Sequence, residues 1–254
     1  MSRPLLISDC DEVLLHMIVP FRDWLDEVHH IHFDLVHGDW GEALRHKHDG
    51  TVVERGIVWD LLNGFFDTEM GRQQAIDGAV EAINRLREVA DVVILTNLLD
   101  HRAGPRKAQL QAVGIDAPVY CNQGGKGEAL GRILEEYKPS VAVFIDDLGH
   151  QHESVGEHHP HVWRLHFVGE PLLWERVNSS KSAHVRLNRW ADAEGWIRDK
   201  LVANEPAPLL EAILYQAQSV RVEPSRDTHR QCMTSRHLDD ARCERIREVK
   251  GKRK

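Results

Sequence analysis

The stretch LLISDCDEVLL, residues 5–15, interrupts an apolar run with two aspartates one residue apart, Asp9 and Asp11. Carboxylates on alternate positions leave a strand on the same face, so both can meet one metal ion or one substrate oxygen. Three further polar groups stand in comparable places. Thr96 and Asn97 follow the apolar run DVVIL, Asp146 and Asp147 follow VAVFI, and Lys126 lies in NQGGKGEAL at the start of a helical stretch. Carboxylates hold cations and exchange protons, a hydroxyl donates to an anionic oxygen, and an ammonium compensates anionic charge. Singly, each group is ordinary, because Asp-x-Asp and Thr-Asn also serve turns and caps. GGKG is not a Walker loop, since Gly127 follows Lys126 and no glycine stands at 120.

Positioning these groups requires elements that end together. Asp91 to Leu95, Pro118 to Cys121, Val141 to Ile145 and Val162 to Val168 read as strands. Between them, helices are expected from Asp77, with Ile76, Ala79, Val80, Ile83 and Leu86 on one face, over 105–113, and over 127–137. Strands alternating with helices predict a doubly wound parallel α/β sheet, Rossmann-like, whose strand ends share one edge. Residues far apart in the chain then converge there.

After Leu15 the regular pattern lapses for about sixty residues. FRDWLDEVHHIHF (21–33) and IVWDLLNGFF (57–66) read as amphipathic helices, and 43–56 as a hairpin turning at Asp49-Gly50. This insertion, about 16–72, is expected to be a small, mainly helical lid over the Asp9 site.

DCDEV at 9–13, ILTN at 94–97, Lys126 in GGKG and FIDD at 144–147 follow one another in the order and spacing of four motifs. In this the chain resembles the haloacid dehalogenase-like (HAD) superfamily, phosphatase branch, over roughly residues 5–200. The resemblance implies that Asp9 attacks phosphorus to form an aspartyl-phosphate and that Asp11 serves as acid and then base. It implies that Thr96, with Asn97, donates to a phosphoryl oxygen and that Lys126 neutralises the phosphoryl charge. It further implies magnesium held by Asp9, the Asp11 carbonyl, Asp146 and Asp147. One departure is Glu12, where the family usually has a small residue. Its carboxylate either faces the incoming phosphate and repels it, or points away and contacts the lid.

Composition narrows the class. The 254 residues, 42% hydrophobic, suffice for a real core. Residues 1–205 carry a net charge of −12 and residues 206–254 of +4, so the acidic body disfavours nucleic acid and suits a divalent cation. Four scattered cysteines, with no CxxC, indicate reduced thiols and a cytoplasmic setting. No secretory leader and no membrane-length apolar run is evident. The expected division is therefore a hydrolase domain at 1–205 and a basic, partly disordered extension at 206–254, able at most to make weak contact with nucleic acid.

Other features have ordinary readings. The histidine-rich stretch 150–161 matches no zinc template and reads as a polar loop, although His150 and His152 closely follow Asp147. The basic run Arg45 to His48 reads as a solvated face, and Trp24, Trp40 and Trp59 as packing residues rather than base-stacking ones. The expected reaction is hydrolysis of a small-molecule phosphate ester. The alternatives are phosphoryl transfer to an alcohol, or a non-catalytic HAD-like binding protein in which Glu12 abolishes turnover.

Overall fold

The computed structural model describes residues 2–35 and 40–210. Most of the extension expected at 206–254 falls outside the described residues. In chain order the elements are β1 (Leu5–Ser8), α1 (Ile18–His29), β2 (Ile31–Phe33), α2 (Trp40–Ala43), β3 (Leu44–His46) and α3 (Arg55–Thr68). They continue with α4 (Ala79–Leu86), β4 (Asp91–Thr96), α5 (Ala103–Ala112), β5 (Val119–Cys121), α6 (Gly127–Tyr137) and β6 (Ala142–Asp146). Last come α7 (Gly149–His158), β7 (Trp163–Phe167), β8 (Val185–Leu187) and α8 (Trp190–Ala203).

Six strands form one sheet in the order β5-β4-β1-β6-β7-β8, every pair parallel. The central strands are apolar throughout because helices cover both faces. Alternation sorts their side chains. Leu6, Ile94 and Ile145 pack on one side with Ile83, Trp190 and Ile197, while Leu5, Ile7, Leu95 and Phe144 pack on the other with Leu130, Ile133 and Val155. The register pairs Ser8 with Ile94 and with Ile145, so Asp9, Thr96 and Asp146 leave neighbouring strands at nearly one level.

The segment between β1 and α4 has its own apolar cluster, centred on Phe21, Phe33, Phe65, Trp24 and Leu44. Phe21 meets Phe33 and Phe65 edge-on, with ring centroids 6.0 and 5.4 Å apart. Burying each such ring stabilises this cluster by roughly 1.5–3 kcal/mol. One expected boundary is corrected here. The helix read over 21–33 ends at His29, His30 turns left-handed at φ 54°, and Ile31–Phe33 instead pairs antiparallel with Leu44–His46. Isoleucine and phenylalanine on one strand face bury better against that hairpin than they would by extending the helix. The turn at Asp49-Gly50 is present, with Gly50 at φ 72° and the Asp49 carboxylate accepting from Thr51 N–H at 2.9 Å.

A second correction concerns 150–161. Gly149–His158 is a helix, with Gln151, His152 and Val155 buried as one stripe. A polar composition hid a three-residue inward face. Beyond α8, the chain stays on the body as far as Pro208: Glu205 O accepts from the Trp163 indole at 2.8 Å, and Ala207 N donates to His161 O.

Candidate active site at the carboxyl ends of the strands

β1 ends at Ser8, and Asp9 just beyond it keeps its backbone against β6, with Asp9 N donating to Ile145 O at 2.8 Å, while its side chain meets charge rather than core. Lys126 Nζ lies 2.7 Å from Asp9 Oδ1 and 2.7 Å from Asp146 Oδ2. All three are buried: Asp146 is fully enclosed, Lys126 is 1% exposed and Asp9 6% exposed. Burial pushes the Lys126 ammonium down, but Asp146 and Asp9 together hold it above the usual lysine range. Burial raises Asp9 to about 7, with Lys126 opposing that rise and Asp146 adding to it.

The lysine is placed by its neighbours in the fold. It precedes α6, where Lys126 N donates to Gln151 Oε1 at 2.8 Å and Gly127 N to Ser154 Oγ at 3.0 Å, both acceptors on α7. The flanking glycine is a steric need, since a Cβ on Gly127 would stand 2.5 Å from Ser154 O. Asn97 holds the same loop, donating to Gly124 O at 2.9 Å and accepting from Asn122 at 3.0 Å. Its amide is thus committed to the Lys126 loop. Thr96, fully buried at the end of β4, has a hydroxyl with no hydrogen-bond partner. Such an orphan is costly, and a ligand oxygen would satisfy it.

Carboxylate oxygens of Asp9, Asp146 and Asp147 come within 4.8 Å of one another. Burial, then the charges of Asp146 and Asp9, push Asp147 well above the ordinary carboxylate range. Two of these three carboxylates share one ammonium, and the donor set is all oxygen, which fits a hard divalent cation such as magnesium. Asp11 stands apart from this group. Its carboxylate accepts from Arg106 Nη2 at 2.9 and 3.1 Å and from Gln73 Nε2 at 2.6 Å. Arg106, on α5 and fully buried, also donates to Cys10 Sγ at 3.3 Å. Gln73 further borders a cavity of about 520 Å³ between the end of α3 and α5.

Glu12 points away from the Asp9 cluster. Its Oε1 accepts from Met17 N at 2.7 Å and Ile18 N at 2.6 Å, the first amides of α1, so it contacts the inserted segment. A carboxylate there satisfies orphan donors and meets the positive end of the helix dipole. The backbone bends to allow it, with Glu12 at φ 60°, a left-handed value that suits glycine better. Burial raises its carboxylate to about 7.

Sequence reading placed His152 close after Asp147 but assigned it no role, and it missed His166, Arg106 and Gln73. His152 Nε2 donates to Asp146 O at 3.0 Å and His166 Nε2 to Asp147 O at 2.8 Å, so two buried imidazoles underpin the aspartate pair. Burial lowers both imidazoles, His152 to about 4. A signal existed in VWRLHFV, where Arg164 and His166 alternate inward on a strand that the pattern places in the sheet. No local signal marked Arg106 or Gln73. Elsewhere, Trp24 packs in the lid cluster, Trp59 is 59% exposed, and the Trp40 side chain lies outside what is described. Lys47 pairs with Asp26, in keeping with a solvated basic face.

The sequence matches no protein-family model and no curated protein. Solved structures match in fold. A haloacid dehalogenase-like hydrolase from Streptococcus pneumoniae aligns over 77% of this chain and 99% of its own, at 12% identity and TM-score 0.55. A HAD-type hydrolase from Bacillus subtilis, bound to magnesium, aligns over 78% and 99%, at 12% identity and TM-score 0.55. A HAD family hydrolase from Deinococcus radiodurans, with bound phosphate and sodium, aligns over 78% and 96%, at 17% identity and TM-score 0.51. The chain therefore has the HAD hydrolase fold. Among the described residues, no helix is long and apolar enough to cross a membrane.

Proposed function

We propose that this chain is a magnesium-dependent phosphohydrolase of the HAD type, acting on a small phosphorylated metabolite through an aspartyl-phosphate on Asp9. One observation carries the reading: the Lys126 ammonium bridges Asp9 and Asp146 at 2.7 Å each, beside a Thr96 hydroxyl with no partner. A buried cation and an unused donor at one sheet edge suit an anionic group bearing several oxygens. The magnesium and phosphate in two structural relatives agree with it.

Asp9 attacks phosphorus, the ester P–O bond breaks, and the leaving oxygen takes a proton from Asp11. Water then attacks the phosphoryl group on Asp9, Asp11 takes its proton, and inorganic phosphate leaves. For both transfers Asp11 must exchange its contacts with Arg106 and Gln73 for the substrate. Thr96 donates to a phosphoryl oxygen, and Lys126 offsets the charge that develops there. Asn97 acts through the Lys126 loop. Asp9, Asp146, Asp147 and the Asp11 carbonyl would hold magnesium, which supplies electrostatic stabilisation of the phosphoryl oxygens. Residues 16–72 serve as the lid of a hydrolase domain of 1–205, followed by a 206–254 extension whose Ala207 and Pro208 still bond to the body. The free thiols of Cys10 and Cys121 agree with a reducing, cytoplasmic setting.

The test is phosphate release from a panel of phosphomonoesters with magnesium, beside Asp9→Asn. The expected outcome is turnover that the substitution lowers by roughly 10³-fold or more while the fold persists. Full activity in the variant would refute the nucleophile.

A further inference from the structure

A second group of ligating side chains converges where the inserted segment joins the sheet. Glu12 comes from the loop after β1, His16 from the lead into α1, and Glu170 from the exit of β7. One ligand atom from each lies within 4.8 Å of the others. His16 Nδ1 stands 3.1 Å from Glu170 Oε2, yet takes part in no hydrogen bond, so it is not aimed along an N–H line at that oxygen. Glu12 Oε2 is also buried without a partner, in a residue only 3% exposed. Its other oxygen is occupied by Met17 and Ile18. Two buried orphan atoms, His16 Nδ1 and Glu12 Oε2, therefore belong to residues grouped with a second carboxylate, Glu170.

The approach of the three segments is built into the backbone. Gly169 N donates to Glu12 O at 3.0 Å, and a Cβ on Gly169 would lie 2.8 Å from that oxygen. Only glycine lets Glu170 come this close. At the Asp9 cluster a lysine compensates the acids, whereas here His16 is the one basic group paired with Glu170 among the described residues. Uncompensated buried carboxylates are costly, and a bound cation removes that cost.

We infer that Glu12, His16 and Glu170 form a binding site for a divalent transition cation of the zinc class, separate from the all-oxygen site around Asp9. One imidazole nitrogen and two carboxylate oxygens suit zinc or cobalt(II), whereas magnesium prefers oxygen ligands and retained waters. With ligand distances of about 2.0–2.2 Å, donors on a tetrahedral ion stand about 3.4 Å apart. The 3.1 Å approach of His16 to Glu170 is close to that spacing, and a carboxylate oxygen of Glu12 lies within 4.8 Å of the ligand atoms of both. Water completes the fourth position. The ion would tie the start of the lid to the exit of β7.

This site stands whether or not Asp9 is a nucleophile. The test takes metal-free full-length protein in excess magnesium and adds zinc alone or cobalt(II) alone. Bound equivalents are read by elemental analysis after gel filtration, and cobalt ligation by its visible absorption. Wild type is expected to retain one equivalent more than His16→Ala and than Glu170→Gln. Glu12→Gln, which keeps an acceptor for Met17 and Ile18, should bind at least tenfold more weakly. Equal equivalents in wild type and His16→Ala would overturn the site and assign the metal to surface histidines. A wild type that binds no zinc would overturn it too. Circular dichroism identifies any variant that fails to fold, and substitutions on three separate segments keep the outcome decisive. Asp9→Asn should keep the extra equivalent, so this inference and the phosphatase reading can fail independently.

Discussion

Two clusters of buried acids begin three residues apart, one with Asp9 at the sheet edge and one with Glu12 where the lid begins. Burial raises Asp9 in the first and Glu12 in the second to about 7. Their compensation differs. Asp9 shares the ammonium of Lys126 with Asp146, a full charge held between two strand ends. Glu12 has only two amides at the start of α1, one imidazole beside its neighbour Glu170, and one oxygen with no partner. The same desolvation thus serves two ends. Where a fixed cation stands by, the site is organised for an anionic substrate; where only backbone donors stand by, the carboxylate fastens one segment to another.

Removing the cation tests the first half of that contrast most severely. Lys126→Met leaves Asp9 and Asp146 as adjacent buried carboxylates, and breaking such a pair costs roughly 3–5 kcal/mol. Urea unfolding without metal should show this loss, and magnesium should restore part of it. Equal stability in the variant and wild type would mean that the lysine does not compensate these acids.

A smaller effect comes from the imidazole under Asp146. The native fold keeps His152 neutral, its pKa held down at about 4 by burial, while the unfolded side chain titrates near 6.5. As pH falls below 6.5, protons bind the unfolded chain first, so this contribution to stability is progressively lost until about pH 4. The total is about 3 kcal/mol. His152→Gln, which can still donate to the carbonyl, should flatten the stability curve across that window. Parallel curves for the two proteins would remove the assignment.

The smallest expected effect lies at the lid. Glu12→Ala deletes the acceptor for Met17 and Ile18 but keeps the left-handed strain, and should cost about 1–2 kcal/mol. Glu12→Gly loses the same acceptor and relieves roughly 1 kcal/mol of strain, so it should melt above the alanine variant. The reverse order would show that the φ of 60° carries no strain.

Much of this was legible in the sequence. The apolar strands ending at Asp9, Thr96 and Asp146, and the glycines around Lys126, are local patterns, and a parallel sheet brings its strand ends to one edge whatever the loops do. The sheet and the convergence of Asp9, Lys126 and Asp146 follow from that. Two local readings failed for local reasons. The histidine-rich stretch 150–161 hid a helix whose inward stripe is only Gln151, His152 and Val155, and Ile31–Phe33 left its expected helix to pair with Leu44–His46. What the tertiary structure alone decided is the partner of each charged group. Asp11 and Arg106 are 95 positions apart, and Glu12 and Glu170 lie on distant segments that meet where Gly169 packs against Glu12 O. A carboxylate's character depends on which donor, cation or void packing brings against it, and hydrophobic periodicity carries no record of that choice.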